Sequence, residues 1–164
     1  MMRIEETVFF KSDVTFGGSV NLPSACVGNA QIKTAAGIDA EKLEHQHRKC
    51  YAQESDTTAA AESRVVHVVK GTVGVLQAFR AGCVVANVGD STITVDLLKN
   101  GVTLLTAPIS LSSADSAYDV VAGTLASAGV VVGDVLEVAI VATVGEGTLG
   151  TGVFASLDLH ENES

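Results

Sequence analysis

Thr92-Ile93-Thr94-Val95-Asp96-Leu97-Leu98-Lys99-Asn100-Gly101-Val102-Thr103-Leu104-Leu105 is the stretch that decides the fold. Ile93, Val95 and Leu97 recur at every second position with Thr94 and Asp96 between them, the pattern of a strand with one buried face. Asn100-Gly101 then supplies two residues that tolerate positive φ, which a two-residue hairpin turn requires. Val102–Leu105 is the expected return strand. Outward from this hairpin the same grammar repeats. Strands are expected over Arg64–Lys70, with Val66 and Val68 on one face, and over Thr72–Phe79, Cys83–Val88, Pro108–Leu111, Asp119–Leu125, Val135–Val144 and Thr151–Leu159. Turn signals separate them, among them Asn87-Val88-Gly89-Asp90 and the Gly-rich run Gly145–Gly150. Short antiparallel strands without long helices predict an all-β fold, an antiparallel β-sandwich of jelly-roll-like form.

The chain before this body has a different character. Thr7-Val8-Phe9-Phe10, Val14, Phe16, Val20 and Leu22 alternate as an extended segment that bends at Gly17-Gly18 and stops at Pro23. Ser24–Ile32 and Asp39–His45 suggest short helical turns capped by Ser24 and Asp39. Val27, Ile32, Ile38 and Leu43 are isolated apolar points that cannot bury a core of their own. The polar run Glu54–Glu62 reads as a linker. The expected organisation is therefore an extended N-terminal arm over 1–53, a linker over 54–63 and the sandwich over 64–164.

Composition narrows the function. The 164 residues include 16 Gly, no Trp and two Tyr, so the aromatic platforms on which sugars or bases stack are scarce. The net charge is −9, and residues 71–164 carry ten of the 19 acids against only Arg80 and Lys99. That half repels nucleic acid and anionic membrane, whereas residues 1–70 are nearly neutral and better suited to lie on another protein. Cys26, Cys50 and Cys83 form no disulfide framework. No secretory leader is read at MMRIEETVFF, and Gly133, Asp134 and Glu137 break the longest apolar stretch, so no membrane span is expected. Asn162-Glu163-Ser164 matches a glycosylation acceptor by chance.

Sites of chemistry are few. No nucleophile elbow, phosphate-binding loop, His-Glu-x-x-His or Cys-x-x-Cys occurs, so no enzyme and no cofactor are expected. Asp90, Asp96, Asp115, Asp119, Asp134 and Glu137 stand where turns and strand ends need polar residues. His45-Gln46-His47 is the only constellation with metal-ligand potential, two His on one face of an extended segment with Cys50 three residues on. Because the pair precedes a domain, it is read as a polar hinge between arm and body and no metal is expected, His45 and His47 being the candidates for one.

Leu22-Pro23-Ser24-Ala25-Cys26-Val27-Gly28-Asn29-Ala30-Gln31-Ile32, followed by Ala36-Gly37-Ile38-Asp39-Ala40-Glu41-Lys42-Leu43, resembles a linker pattern in fibres and decoration proteins of tailed bacteriophages. Ile93–Gly101 and Gly133–Val138 are similar to the β-sandwich domains of the same virion proteins. The resemblance spans residues 20–45 and 64–160. It implies a homotrimer on the outside of a capsid, made in the host cytoplasm, with the arm clamping the major capsid protein and the sandwich projecting. On that basis Val8, Phe9, Phe10, Val14, Phe16, Val27, Ile32, Ile38 and Leu43 are the expected capsid or trimer contacts. A head fibre or adhesin whose sandwich binds a host glycan is the alternative.

Overall fold

The computed structural model describes residues 44–162. Among them no helix forms, and the strands gather into two packed antiparallel sheets, a β-sandwich. In the first sheet β1 (Glu44–Ala52) pairs with β12 (Thr151–Asn162), and β12 pairs with β3 (Val73–Val85). The far edge of β3 is covered by two pieces, β8 (Val121–Ala122) and β9 (Gly129–Val131). In the second sheet β2 (Glu62–Val68) pairs with β10 (Val135–Thr143), which pairs with β5 (Thr92–Lys99). The far edge of β5 is likewise shared, by β6 (Val102–Thr103) and β7 (Ile109–Leu111). A small ladder of β4 (Val88–Gly89) with β11 (Gly147–Thr148) closes one end. The chain passes between the sheets in the order β1, β2, β3, β5 with β6 and β7, β8 with β9, β10, β12. This is the strand succession of a jelly roll.

The core follows from period-two alternation. Ile93, Val95 and Leu97 of β5 and Leu136, Val138 and Ile140 of β10 face inward from the second sheet, and register sets Val95 opposite Ile140 and Leu97 opposite Val138. Leu76, Phe79 and Ala81 of β3 and Val153, Ala155, Leu157 and Leu159 of β12 do so from the first. All belong to one buried cluster. The hairpin after β5 forms as its sequence requires, with φ of 51° at Asn100 and 81° at Gly101.

Three expectations are corrected. Residues Thr72–Phe79 and Cys83–Val88 are one strand, β3, which runs straight through Ala81-Gly82. Gly82 is there because the Phe154 ring of β12 and the Asp119 carbonyl lie over it. The arm does not extend to residue 53. Glu44–Ala52 is paired along its whole length with β12, and the backbone at Glu44 and His45 is strand where a helical turn was expected. Nor is 54–63 a linker. Thr58 bridges Thr151, the Ala59 N–H donates to the Gly150 carbonyl (2.9 Å), and Gln53 and Ala60 bond each other reciprocally. The segment is a packed crossover between the sheets. The expected arm turns before residue 44, and the contacts Val8, Phe9, Phe10, Val14, Phe16, Val27, Ile32, Ile38 and Leu43, lie outside the described residues.

Gly82 and Gly129 give a paired test. A Cβ at Gly82 would collide with the Asp119 carbonyl oxygen and sit 2.6 Å from Phe154 Cζ, whereas one at Gly129 meets nothing within 4 Å. Gly82→Ala is expected to cost about 3 kcal/mol and Gly129→Ala less than about 0.5 kcal/mol, read from urea unfolding midpoints.

Candidate functional site

The chemistry-bearing side chains of the body collect along one side of the sandwich, where the edge strands β1 and β2 face each other across the gap between the sheets. In β1, Gln46, Arg48, Cys50 and Ala52 are exposed, while His47, Lys49 and Tyr51 are half-buried and share the inward row of β12. Opposite them, β2 brings Glu62, Arg64 and His67. Polar side chains turned inward at sheet edges are one way that proteins prevent further strand addition.

A β-bulge places His67. The register of β2 against β10 runs from Ile140↔Glu62 to Glu137↔Val65 and resumes at Leu136↔His67, leaving Val66 unpaired. One extra residue reverses the alternation beyond it. His67 therefore takes the place opposite the fully buried Leu136 that an unbulged ladder would give to Val66, and Val68, opposite Val135, is left 45% exposed. The expected sharing of one face by Val66 and Val68 fails for this reason.

Two clusters result. In the first, the Tyr51 hydroxyl donates to Glu62, which is also paired with Arg64 and approached by the Gln53 amide at 3.5 Å. The bonds from Tyr51 and then Arg64 hold the Glu62 carboxyl below its ordinary value. Burial, followed by the neighbouring Glu62, pushes the Tyr51 phenol up. These residues, with Cys50, Ala60 and Val66, line an open groove of about 640 Å³.

In the second cluster Glu161, 2% exposed, ends the inward row of β12. It accepts the N–H groups of Gly71 (2.8 Å) and Lys70 (3.1 Å) and is paired with His67 Nε2. Burial alone would raise the Glu161 carboxyl. The Gly71 N–H, His67 and the Lys70 N–H together outweigh burial and lower it. The His47 ring lies 5.3 Å from that of His67, centroid to centroid, at 35°. Backbone register sets His45 opposite Glu161 and His47 opposite Leu159. Of the expected pair His45 and His47, the structure thus brings His47 to a third histidine that the sequence pattern did not single out. The bulge that aims His67 leaves no plain mark in Arg64–Lys70.

The acids at turns are occupied structurally. Asp115, Asp119 and Asp134 each accept the N–H of the residue three positions before, at 2.7, 2.8 and 3.0 Å, and Asp134 also binds the Asn100 amide at 2.7 Å. Asp96 accepts from Thr103 and Glu137 from Ser63. Asn87 ties the Gly150 N–H to the Leu111 carbonyl. Among the described residues no group of three His, Cys, Asp or Glu converges as metal ligands, and every buried side-chain polar atom has a partner. Cys50 and Cys83 are free thiols, exposed and buried respectively. No helix among the described residues is long and apolar enough to cross a membrane. No protein-family model matches the chain, and no curated protein matches it.

Glu161 makes stability pH-dependent. Its carboxyl is lowered in the folded state from an ordinary value of 4.5. Its contribution is therefore complete above that value and disappears as pH falls through the lower folded one. Glu161→Ala is expected to cost about 3 kcal/mol at neutral pH, because two backbone donors and His67 lose a buried acceptor. Urea midpoints recorded from pH 6 down to pH 3 check this: Glu161→Gln should flatten the acid limb relative to the parent chain.

Proposed function

We propose that this is a structural virion protein, a capsid decoration (cement) protein that binds the outside of a phage head as a trimer and stabilises it. The observation that carries the reading is the division of labour along the chain. From Glu44 to Asn162 the body is a self-contained jelly roll whose buried polar groups are all spent on its own turns and crossovers. Before it stand 43 residues with four Lys+Arg against five Asp+Glu and with nine apolar anchors, whereas residues 44–164 carry six Lys+Arg against 14 Asp+Glu. A near-neutral apolar segment attached to an acidic, soluble body suits attachment by the segment and display of the body. Packed DNA strains the contacts between capsid subunits. Apolar burial across those seams contributes roughly 25 cal/mol per Å² removed from water, multiplied over many copies. The protein itself performs no chemistry in this reading.

A head fibre or adhesin is the second reading, and the groove beside Tyr51 favours it. Gln53, Glu62 and Arg64 around one tyrosine ring are side chains that hydrogen-bond sugar hydroxyls. Tyr118, 68% exposed and with a φ of 64°, stands on a loop at the end where β3 finishes.

Two measurements separate the readings. Deletion of residues 1–43 leaves β1 intact and should preserve the β-sheet circular dichroism spectrum while abolishing co-sedimentation with undecorated heads. Phe9→Ala with Phe16→Ala should release the protein, and either change alone should only weaken attachment. Wild-type binding by the truncated chain removes the attachment claim. Stripped particles that withstand heat as well as decorated ones, yet no longer adsorb to host cells, make the protein an adhesin.

A further inference from the structure

We propose that the end of the sandwich at which β1 begins is itself a docking surface, a patch of valines beside Lys99 that seats on the capsid protein. The surface it fits is apolar at its centre and acidic at its rim. The inference rests on the decoration reading and adds the orientation of the body, which stands on the capsid with its acidic loops outward.

Register locates the patch. Glu44, Asn162, Val73 and Val131 are successive partners across β1, β12, β3 and β9, so the start of the body and two valines share one row of the first sheet. Val73 and Val131 are directly opposite each other, and each is more than half exposed. The next row sets Val75, 44% exposed, opposite Gly129, where a Cβ would meet nothing within 4 Å. Val132 extends the patch into the turn before β10 and is also more than half exposed. Beneath them Leu76 and Val130 are buried and close the core. The valines therefore form a flat apolar ledge on the outer face.

Charge decides which end meets a partner. At this end the turns 69–72, 99–101 and 132–134 hold Lys70, Lys99 and Asp134. Lys99 Nζ donates to the Gly129 carbonyl at 3.0 Å and lies 3.7 Å from Asp134, whose carboxylate also accepts the Val131 N–H. The acid is thus turned into the fold, and Lys70 is exposed at the rim. The opposite end gathers the connections 53–61, 86–91, 112–120 and 144–150, through the Thr58–Thr151 bridge and the bonds of Tyr118 to Cys83 and Asp90 to Glu146. They hold Glu54, Asp56, Asp90, Asp115, Asp119 and Glu146 and no Lys or Arg. Val85, Val88 and Val144 are exposed there too, but covering them would desolvate carboxylates with no cation among them. Interface centres are depleted of charge, a condition that the valine end meets and the acidic end does not. Lys70 and Lys99 call for carboxylates on the facing surface. Four valines fall short of the roughly 1,000 Å² that a stable interface buries. Tethered through residues 1–43, the contact becomes intramolecular and adds to theirs.

The full-length chain is titrated onto undecorated heads and binding is read by co-sedimentation. Val73→Glu with Val131→Lys places opposite charges on a cross-strand pair, which keeps β3 and β9 paired. It should weaken binding about 10–100-fold with an unchanged circular dichroism spectrum. Lys70→Glu should weaken binding and lessen its sensitivity to salt. Val85→Glu with Val144→Lys, at the acidic end, should bind as the parent chain does. If the Val73 and Val131 changes unfold the protein, Val132→Lys carries the test, because it lies on a turn outside every strand pair. Parent-like binding by Val132→Lys and by the folded double variant overturns the docking surface and leaves attachment by residues 1–43 standing. An equal loss from the changes at the acidic end overturns the orientation. A parent chain that does not sediment with heads removes the decoration reading, and this inference with it.

Discussion

Everything in this fold depends on how β12 is paired. It lies between β1 and β3 and is hydrogen-bonded to both along nearly its whole length. Its inward row is Val153, Ala155, Leu157, Leu159 and Glu161, and its outward row includes Ser156, Asp158 and His160. A slip of one residue would carry Asp158 and His160 into the core and expel Leu157 and Leu159. The outward row adds its own constraint, since Asp158 is bridged by Arg80 at 3.1 Å and by Arg48 at 3.6 Å, from the strands on either side. Those exposed pairs contribute little energy, yet they agree with the register that the apolar row demands.

The inward row of β12 changes chemistry at its last member, and that change shapes the open side of the sandwich. Glu161 continues the Leu157–Leu159 row but meets the Lys70 and Gly71 N–H groups of the crossover from β2 to β3. A buried carboxylate there joins the end of the first sheet to the connection leading out of the second. Its histidine partner reaches it only because β2 is bulged at Val66. Farther along the same seam, Tyr51 of β1 and Glu62 of β2 make the corresponding link. Bonded polar pairs thus stand between the two edge strands where a larger sandwich would place apolar side chains.

This arrangement explains which parts of the structure were legible in the sequence. β5, β10 and β12 are central strands packed on one face, so period two survives in Ile93-Val95-Leu97, Leu136-Val138-Ile140 and Val153–Leu159, and the sandwich follows from them. β1 was hidden because its inward residues line the seam: Glu-His-Gln-His-Arg-Lys-Cys-Tyr-Ala has no apolar row, and a polar strand reads as a linker. The strand expected to stop at Phe79 and restart at Cys83 is continuous as β3, with Gly82 lying under the Phe154 ring. His45-x-His47 was visible as a pair. Its neighbours His67 and Glu161 were not, since they lie 20 and 114 residues further on from His47 and are joined by a bulge and a sheet register. Short-range spacing carries no trace of either.

The central structural claim is that the cooperative body begins at Glu44, with β1 as an edge strand held by β12. Amide hydrogen exchange on the full-length chain tests it most directly. The account predicts slow exchange throughout the interior of β12, and alternating slow and fast amides along Glu44–Ala52, because only every second N–H of an edge strand points to its partner. Uniformly fast exchange across Glu44–Ala52 while β12 and β3 remain protected would contradict it, and would return that segment to the arm.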